Sequence, residues 1–246
     1  MKILITGASS GIGAALSEKL VKNGHIVLGL ARREWLLKEM RLKLGENFRY
    51  LPCDISDENQ MKAALAKMKK EDFVPDIAVL NAAVFLEGGV DDFCSCKKSL
   101  ETNFLGAMFW THKFLPAFTK RNKGVFVAVS SVAALRQGFG APSYSASKAA
   151  LSADFNRKRF LNSKTNVKFS TVHFGPIKTD MWRGVKSDFL VPSAEKAANY
   201  IIKISGKKAA NYYYPFLTTF TARFLSALPE RIFYLLSKTI LKISKN

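Results

Sequence analysis

The sequence predicts an α/β fold, a doubly wound parallel sheet of about seven strands with helices on both faces. Short apolar segments alternate with segments of helical periodicity from the first residue onward. The strand-like segments are apolar on both sides, which is typical of a parallel sheet covered by helices on both faces. We interpret residues 1–246 as a single domain in which 207–246 form a basic, aromatic-rich helical extension.

The predicted elements follow one another in regular order. The strands are residues 2–6, 25–31, 48–53, 76–84, 124–130, 166–174 and 211–215. The principal helices are residues 12–24, 33–45, 57–70, 97–121 and 143–162. Glycines close the first two helices, as is common at helix C-termini.

Composition limits the class of protein. Lys and Arg outnumber Asp and Glu by 38 to 19, which gives a net charge of +19. Such a charge favours nucleotides, nucleic acid or acidic lipids as partners without choosing among them, and a generally basic composition would produce it as well. The odd cysteine count of three, without metal-site spacing, indicates reduced thiols in a cytoplasmic setting. The longest uncharged run, the 15 residues Ile3 to Ser17, is too short to span a membrane.

A nucleotide site is predicted where the first strand meets the first helix, at TGASSGIG (6–13). Gly7 permits a sharp turn, and Gly11 and Gly13 let backbone approach a phosphate and the sheet. The helix start would present free N–H groups and a positive dipole end to that phosphate. This strand–turn–helix unit is typical of a Rossmann fold, although the glycine spacing differs from the commoner dinucleotide fingerprint.

The second strand ends in LARRE (30–34), where a carboxylate usually binds a free ribose hydroxyl. Arg32 and Arg33 instead suit a 2′-phosphate, and Ser9 could add a hydroxyl. We therefore expect NADP(H) in preference to NAD(H). The alternative is that both arginines face solvent.

Seven motifs then occur in a recognisable order: TGASSGIG (6–13), CDIS (53–56), NAA (81–83), TNFLG (102–106), SSVAA (130–134), YSASK (144–148) and FGPIKTDM (174–181). Together they resemble the short-chain dehydrogenase/reductase family, in its shorter single-domain branch. One departure is Phe174-Gly175, where the family usually has Pro-Gly. The resemblance places this departure in the pocket wall beside the nicotinamide.

The resemblance implies roles for named residues. The catalytic residues would be Asn103, Ser131, Tyr144 and Lys148, with Asn103 completing a proton relay through water. The cofactor-binding residues would be Gly7, Ser9, Ser10, Gly11, Ile12, Gly13, Arg32, Arg33, Asp54, Ile55, Asn81, Ala82, Tyr144, Lys148, Gly175, Ile177 and Thr179. Asp54 would contact the adenine end, Asn81 would steady the central strand, and Thr179 would hold the carboxamide. The resemblance also implies a homodimer or larger homo-oligomer, whose interface could involve the two long helices.

Tyr144 and Lys148 lie one helical turn apart, so their side chains share a helix face. Reduction of a carbonyl needs a hydride on carbon and a proton on oxygen, and a tyrosine hydroxyl could supply the proton. Since the ordinary tyrosine pKa is near ~10, we expect the Lys148 ammonium to lower it. Ser131 would donate a hydrogen bond to the substrate oxygen. Taken alone, the spacing also fits an ordinary helix surface.

The substrate side is predicted to be apolar. Phe85, Phe139 and Trp182, with Leu86 and Phe189, suggest a hydrophobic carbonyl or alcohol, although ordinary loop packing would use the same residues. His173 lies near the same end of the sheet, where we expect a structural role.

The segment 207–246 carries seven basic residues and one acidic residue. Its apolar residues recur at helical spacing on either side of Pro229: Phe220, Phe224, Leu228, Ile232, Leu235, Leu236 and Ile240. A basic amphipathic helix suits a membrane surface, but this pattern equally suits packing on the body of the protein or on a partner subunit.

The sequence therefore predicts a cytoplasmic NADP(H)-dependent oxidoreductase that interconverts a carbonyl and an alcohol, with peripheral membrane contact left open. The alternative is a non-catalytic NADP(H)-binding regulatory or membrane-associated protein of the same fold, against which the intact catalytic set argues. Nucleic-acid binding is not expected, since no interleaved basic and aromatic patch occurs. No metal site is expected.

Overall fold

The computed structural model describes residues 1–85, 92–136, 141–182 and 191–243, with backbone alone for Trp182 and 238–243. Seven parallel strands form one sheet in the order β3-β2-β1-β4-β5-β6-β7. The strands are β1 Lys2–Thr6, β2 Ile26–Ala31, β3 Phe48–Pro52, β4 Ile77–Leu80, β5 Gly124–Ser131, β6 Val167–Phe174 and β7 Asn211–Tyr214. The predicted doubly wound sheet is confirmed.

Helices lie between the strands and after the last one. They are α1 Gly11–Lys22, α2 Glu34–Leu44, α3 Glu58–Lys70, α4 Phe93–Leu100, α5 Gly106–Lys120, α6 Pro142–Leu161, α7 Ala194–Ser205, α8 Phe216–Ser226 and α9 Glu230–Ile243. A π-helical turn, Glu101–Leu105, joins α4 to α5. None of the helices in the described part of the chain is long and apolar enough to cross a bilayer.

The core has two layers, one on each face of the sheet. Ile3 and Ile5 of β1 belong to one cluster and Leu4 to the other, because successive strand side chains point to opposite faces. Helices α1 and α7 pack together on the first face. Trp110 of α5 and Phe155 of α6 are fully buried on the second face. Burial on both faces explains why the strands are apolar throughout.

Most predicted elements match the structure within two residues at either end. Strand β4 ends at Leu80, before the predicted residue 84, because the backbone N–H groups of Asn81 and Ala82 donate to Thr6 Oγ1 and leave the ladder. The helix expected at 97–121 is α4, the π-helical turn and α5 in sequence. Helix α7 was not predicted. Pro229 separates α8 from α9, as expected.

Candidate active site

A cleft of about 570 Å³ opens at the carboxyl ends of the strands. It lies where the strand order reverses, with β1 at the centre of the sheet between β2 and β4. In open parallel sheets this reversal leaves a crevice in which ligands bind. The cleft extends from Arg33 to Tyr144 and on to Leu225 in α8.

The glycine-rich turn forms the floor of one end of the cleft. Gly7 has φ of 68°, and a Cβ there would lie 2.8 Å from the Cα atom of Ala82. A Cβ at Gly13 would lie only 2.1 Å from the Gly7 carbonyl oxygen. The side-chain amide of Asn81 donates to the carbonyl oxygens of Thr6 and Gly7, at 3.0 and 3.2 Å. The turn is thereby fixed against β4 while Ser9 to Ile12 face the cleft.

The two arginines after β2 have different surroundings. Arg33 donates from Nη2 to Ser10 Oγ at 2.7 Å and to Ser9 Oγ at 3.5 Å. Arg32 instead lies 3.9 Å from Asp54 Oδ2. Arg33 and the two serines therefore form a compact set of donors at the cleft rim, whereas the Arg32 charge is partly matched by a carboxylate.

Asp54 is held by the start of the next loop. Its Oδ1 accepts hydrogen bonds from Ser56 N and Oγ at 2.9 and 2.7 Å. Burial alone would raise the pKa of Asp54, but the Ser56 hydrogen bonds and the charges of Lys98 and Arg32 hold it below the usual value. Asp54 is thus a charged acceptor along the cleft wall.

The candidate catalytic groups meet at the other end of the cleft. Tyr144 and Lys148 lie one turn apart on α6, and Ser131 ends β5. The ring of Phe85 packs edge-on against Tyr144 at 5.2 Å between centroids. Lys148 is 2% exposed, and its Nζ donates to the carbonyl oxygen of Val129 at 2.8 Å. Strand β5 therefore positions both Ser131 and the lysine beside the phenol.

The protonation of this pair differs from the sequence expectation. Desolvation by the surrounding protein raises the pKa of Tyr144 to about 12, with a hydrogen bond to Ser131 acting in the opposite direction, although the residue keeps partial exposure to the cleft. Burial lowers the pKa of Lys148 to about 7. The expected lowering of the Tyr144 pKa by Lys148 is not found here, because desolvation is the largest influence on the phenol and Lys148 is not among the groups that shift its pKa. At neutral pH the phenol carries its proton.

Asn103 lies in the π-helical turn and does not line the cleft. Its Oδ1 accepts from Val84 N at 2.7 Å, and its Nδ2 donates to Val84 O at 3.0 Å and Ser147 Oγ at 2.9 Å. Ser147 Oγ in turn donates to the Tyr144 carbonyl oxygen at 2.7 Å. The side chain of Asn103 thus ties the segment after β4 to α6.

The departure at Phe174-Gly175 leaves the turn after β6 intact. The Phe174 ring is buried and lies edge-on to Tyr214 at 6.2 Å, while Gly175 N donates to Tyr214 O at 2.9 Å. Next to it, His173 is buried, with Nδ1 3.2 Å from Ser131 O and its ring stacked on Tyr213 at 4.8 Å. Burial lowers the pKa of His173, which accords with a structural role for a neutral imidazole.

The structure brings together nearly all of the predicted cofactor residues. Gly13 alone of that set does not line the cleft, because it packs beneath the turn. Of the predicted substrate residues, Phe85 lines the cleft. Leu86, Phe139 and Phe189 lie outside the described residues, and for Trp182 only the backbone is described.

One wall of the cleft was missed by sequence reasoning. Four residues of α8 line it: Thr218, Thr221, Ala222 and Leu225. They are spaced as i, i+3, i+4 and i+7, which is one face of a helix. This spacing could have been recognised in the sequence, but the apolar residues Phe220 and Phe224 gave a stronger pattern on another side of the same helix.

Comparison with known proteins gives the family. The family model described as short chain dehydrogenase matches residues 1–189. The chain therefore belongs to the short-chain dehydrogenase family, whose members are oxidoreductases acting on alcohol and carbonyl groups.

Two curated relatives and one solved structure illustrate the similarity. NADP-dependent 3-hydroxy acid dehydrogenase YdfG of Escherichia coli K12 is 28% identical over 192 residues, covering 76% of this chain and 74% of the relative. A fatty acyl-CoA reductase of Acinetobacter baylyi is 28% identical over 208 residues, covering 81% and 70%. The structure of 4-hydroxyisoleucine dehydrogenase complexed with NADH has a TM-score of 0.79 at 18% identity, covering 86% and 96%, and it supports the fold alone.

Proposed function

We propose that the protein is an NADP(H)-dependent oxidoreductase that interconverts a carbonyl and an alcohol on a hydrophobic substrate. The observation that carries this proposal is one cleft with the glycine-rich turn at one end and Ser131, Tyr144 and Lys148 at the other. When bound, NADP(H) supplies or accepts the hydride. The residues of the chain bind it, orient the substrate and handle the proton.

The choice of NADP(H) rests on the donors at the cleft rim. The Arg33 guanidinium with the Ser9 and Ser10 hydroxyls offers several hydrogen bonds to a 2′-phosphate. The relative YdfG is NADP-dependent, whereas the structurally similar 4-hydroxyisoleucine dehydrogenase holds NADH. Since this fold accommodates either cofactor, the local arginine and serines decide the preference in our proposal.

The proton chemistry follows from the protonation of Tyr144. At neutral pH the Tyr144 phenol holds the proton that carbonyl reduction requires, although a pKa raised to about 12 makes it a weaker acid than an ordinary tyrosine. Ser131 shares a hydrogen bond with Tyr144 and can orient the substrate oxygen toward the phenol. Asn103 acts through Ser147 to position α6 rather than by touching the substrate.

A hydrophobic substrate is favoured by the walls near Tyr144. Phe85 packs against Tyr144, and Met181, Ala222 and Leu225 also line the cleft, with Thr218 and Thr221 as hydroxyl groups among them. The names of the relatives cover both a 3-hydroxy acid and a fatty acyl chain. Since the relatives differ in substrate, the proposed substrate class depends on the side chains that line the cleft of this chain.

We further propose a homo-oligomer in the cytoplasm. Four large apolar side chains are 53–81% exposed on α4, the π-helical turn and α6, and could form a subunit interface: Phe93, Leu105, Phe160 and Leu161. All three cysteines are free thiols, as a reducing compartment would require. Multi-angle light scattering of the wild type and of Phe160→Glu tests the oligomer. A wild-type mass equal to one chain would refute it.

The function is tested with a panel of aldehydes and ketones of increasing chain length, followed by absorbance with NADPH and with NADH. We expect turnover that is faster with NADPH and with longer substrates. Binding of NADPH without turnover of any substrate would favour the non-catalytic alternative. Turnover faster with NADH would overturn the cofactor assignment.

A further inference from the structure

Helix α8 presents different residues to the cleft, to the protein body and to the outside. Thr219 is buried, and the cleft-lining residues occupy one face. Large apolar side chains, 51–76% exposed, occupy the outside: Phe216, Leu217, Phe220 and Phe224. At 3.6 residues per turn, this outer side lies roughly a third of a turn or more from the cleft-lining side. A single helix therefore separates the proposed substrate site from an apolar outer surface.

Exposed apolar side chains are also concentrated on α9. Among the described residues, eight of the sixteen exposed large hydrophobic side chains lie between Phe216 and Leu236. The four on α9 are Ile232, Tyr234, Leu235 and Leu236. We call these eight side chains the α8–α9 face. Such a concentration on two consecutive helices points to an interaction site, since isolated exposed hydrophobic residues are scattered over ordinary surfaces.

The two helices are held to the protein body by other residues. Phe233 is 3% exposed, and the guanidinium of Arg136 lies 5.4 Å from the centroid of its ring. Arg136 Nη1 also donates to the carbonyl oxygen of Leu228 at 2.8 Å. Packing on the body is thus accomplished by Thr219 and Phe233, and the α8–α9 face remains outside. This arrangement argues against packing on the protein body as the role of the apolar stripe, which the sequence had left open.

Charge distinguishes the two remaining candidates for what covers the α8–α9 face, a second copy of the chain and a membrane surface. The segment 207–246 has seven basic residues and one acidic residue, a balance of +6. The sequence spacing puts positions 231, 238 and 242, all basic, along one side of α9. A second copy of the chain would bring like charges together, which disfavours association. An anionic lipid surface would be attracted, and long basic side chains at the edge of an apolar helix face suit the headgroup region.

We propose that the α8–α9 face rests on an anionic lipid bilayer, and that the cleft takes its substrate from that bilayer past α8. The apolar side chains would lie at the boundary between headgroups and acyl chains, as in other interfacial helices. The uptake of substrate from the bilayer rests on the proposed function. It names the substrate class as a lipid-dissolved aldehyde, ketone or alcohol.

Flotation with vesicles tests the surface. We expect the wild type to float with vesicles of phosphatidylcholine and phosphatidylglycerol, and to remain at the bottom with phosphatidylcholine alone. The double variant Phe220→Ser/Phe224→Ser should float at least tenfold less, because it loses apolar area without touching the cleft. Trp35→Ser/Leu42→Ser is the matched control, since it removes two exposed apolar side chains elsewhere, and it should float like the wild type.

Point variants are preferable to truncation, because removal of the tail would also remove β7 and the α8 wall of the cleft. Thermal unfolding and NADPH titration check that each variant is folded. Leu217→Ser/Ile232→Ser is a second variant of the same face if the first fails to fold. The proposal is overturned if the wild type does not float with anionic vesicles, or if both face variants float as it does. Face variants that instead convert a dimer to a monomer would assign the surface to a second copy.

Turnover separates this proposal from the proposed function. The probes are dodecanal dissolved in the anionic vesicles and butanal in buffer, each with NADPH. We expect Phe220→Ser/Phe224→Ser to lose at least fivefold of its rate on dodecanal and to keep its rate on butanal. Equal rates for variant and wild type on dodecanal would overturn delivery from the bilayer. Flotation without turnover of any carbonyl in the panel would instead refute the proposed function and leave the surface standing.

Discussion

The Nζ atom of Lys148 lies 5.7 Å from the centroid of the Tyr144 ring and gives its hydrogen bond to the carbonyl oxygen of Val129. The lysine is therefore held beside the phenol by the backbone of β5. Since a neutral carbonyl offsets little of the desolvation of an ammonium group, the pKa of Lys148 falls to about 7. The pair can be uncharged near neutral pH, with the proton on Tyr144.

Replacing Tyr144 tests the proton donor. Tyr144→Phe removes the hydroxyl and keeps the ring against Phe85, so NADPH binding should be nearly unchanged. General acid–base catalysis contributes about 10²- to 10⁴-fold, and we expect kcat to fall by that factor. Steady-state turnover and fluorescence titration with NADPH measure the two effects. Tyr50→Phe on β3 is the control. A residual rate of a tenth of wild type would refute the assignment.

Lys148 should lower the free energy of unfolding, and the size of this effect should depend on pH. Its pKa falls from 10.5 in the unfolded chain to about 7 in the fold, so the folded state binds the proton less well. This cost is absent above pH ~10.5, grows as the pH falls toward ~7, and is constant below that value. Relief of this cost should therefore make Lys148→Met more stable than wild type near pH 6, by up to about 5 kcal/mol at about 1.4 kcal/mol per pH unit, and should vanish near pH 11.

Urea unfolding of both proteins across this pH range measures the difference. The lost hydrogen bond to Val129 offsets part of the gain, by about 1 kcal/mol. The same variant should lose most of its turnover, so stability and activity would move in opposite directions. A Lys148→Met protein less stable than wild type near pH 6 would contradict the expectation.

Cofactor preference should depend on Arg33 more than on Arg32. Arg33→Ala removes the guanidinium beside Ser9 and Ser10, and charge-assisted hydrogen bonds contribute about 1.5–3 kcal/mol. We expect the Kd for NADPH to rise by about 10- to 100-fold while the Kd for NADH changes little. Arg32→Ala is the matched control, since Asp54 lies beside that side chain. An equal loss for both cofactors would show that Arg33 does not read the 2′-phosphate.

The α8 wall should control substrate size. Ala222 lines the cleft, so Ala222→Phe places a ring where the substrate chain would lie. We expect KM for long-chain aldehydes to rise at least tenfold, with a smaller change for short ones and unchanged NADPH affinity. Ala227→Phe, at the exposed end of the same helix, is the control and should match the wild type. Unchanged kinetics for Ala222→Phe would remove α8 from the substrate site.

Much of the sheet was predictable, because short apolar runs between turns have few alternatives in an α/β chain. The start of α4 was missed by four residues. Its N-terminus depends on Asp92, whose carboxylate accepts from Ser95 N at 2.6 Å, and such a capping contact is only a weak signal beside the apolar pattern. The residues of the candidate site were found by their motifs, which lie at strand ends and helix starts.

The protonation of the site and the side of the tail that packs inward were not predictable. Spacing shows that Tyr144 and Lys148 are neighbours, but desolvation depends on what surrounds them, and here it moves both pKa values toward the uncharged forms. In the tail, periodicity identifies an apolar stripe without showing its orientation. The structure buries Thr219, Phe233 and Ser237 instead, because those side chains meet the body of the protein.

The proton-handling groups end at Lys148, and the α8 wall is supplied more than sixty residues later, after β7. Part of the proposed substrate wall is therefore encoded apart from the proton-handling groups. A chimera that exchanged only the last two helices could acquire a new substrate range while its redox machinery stayed the same.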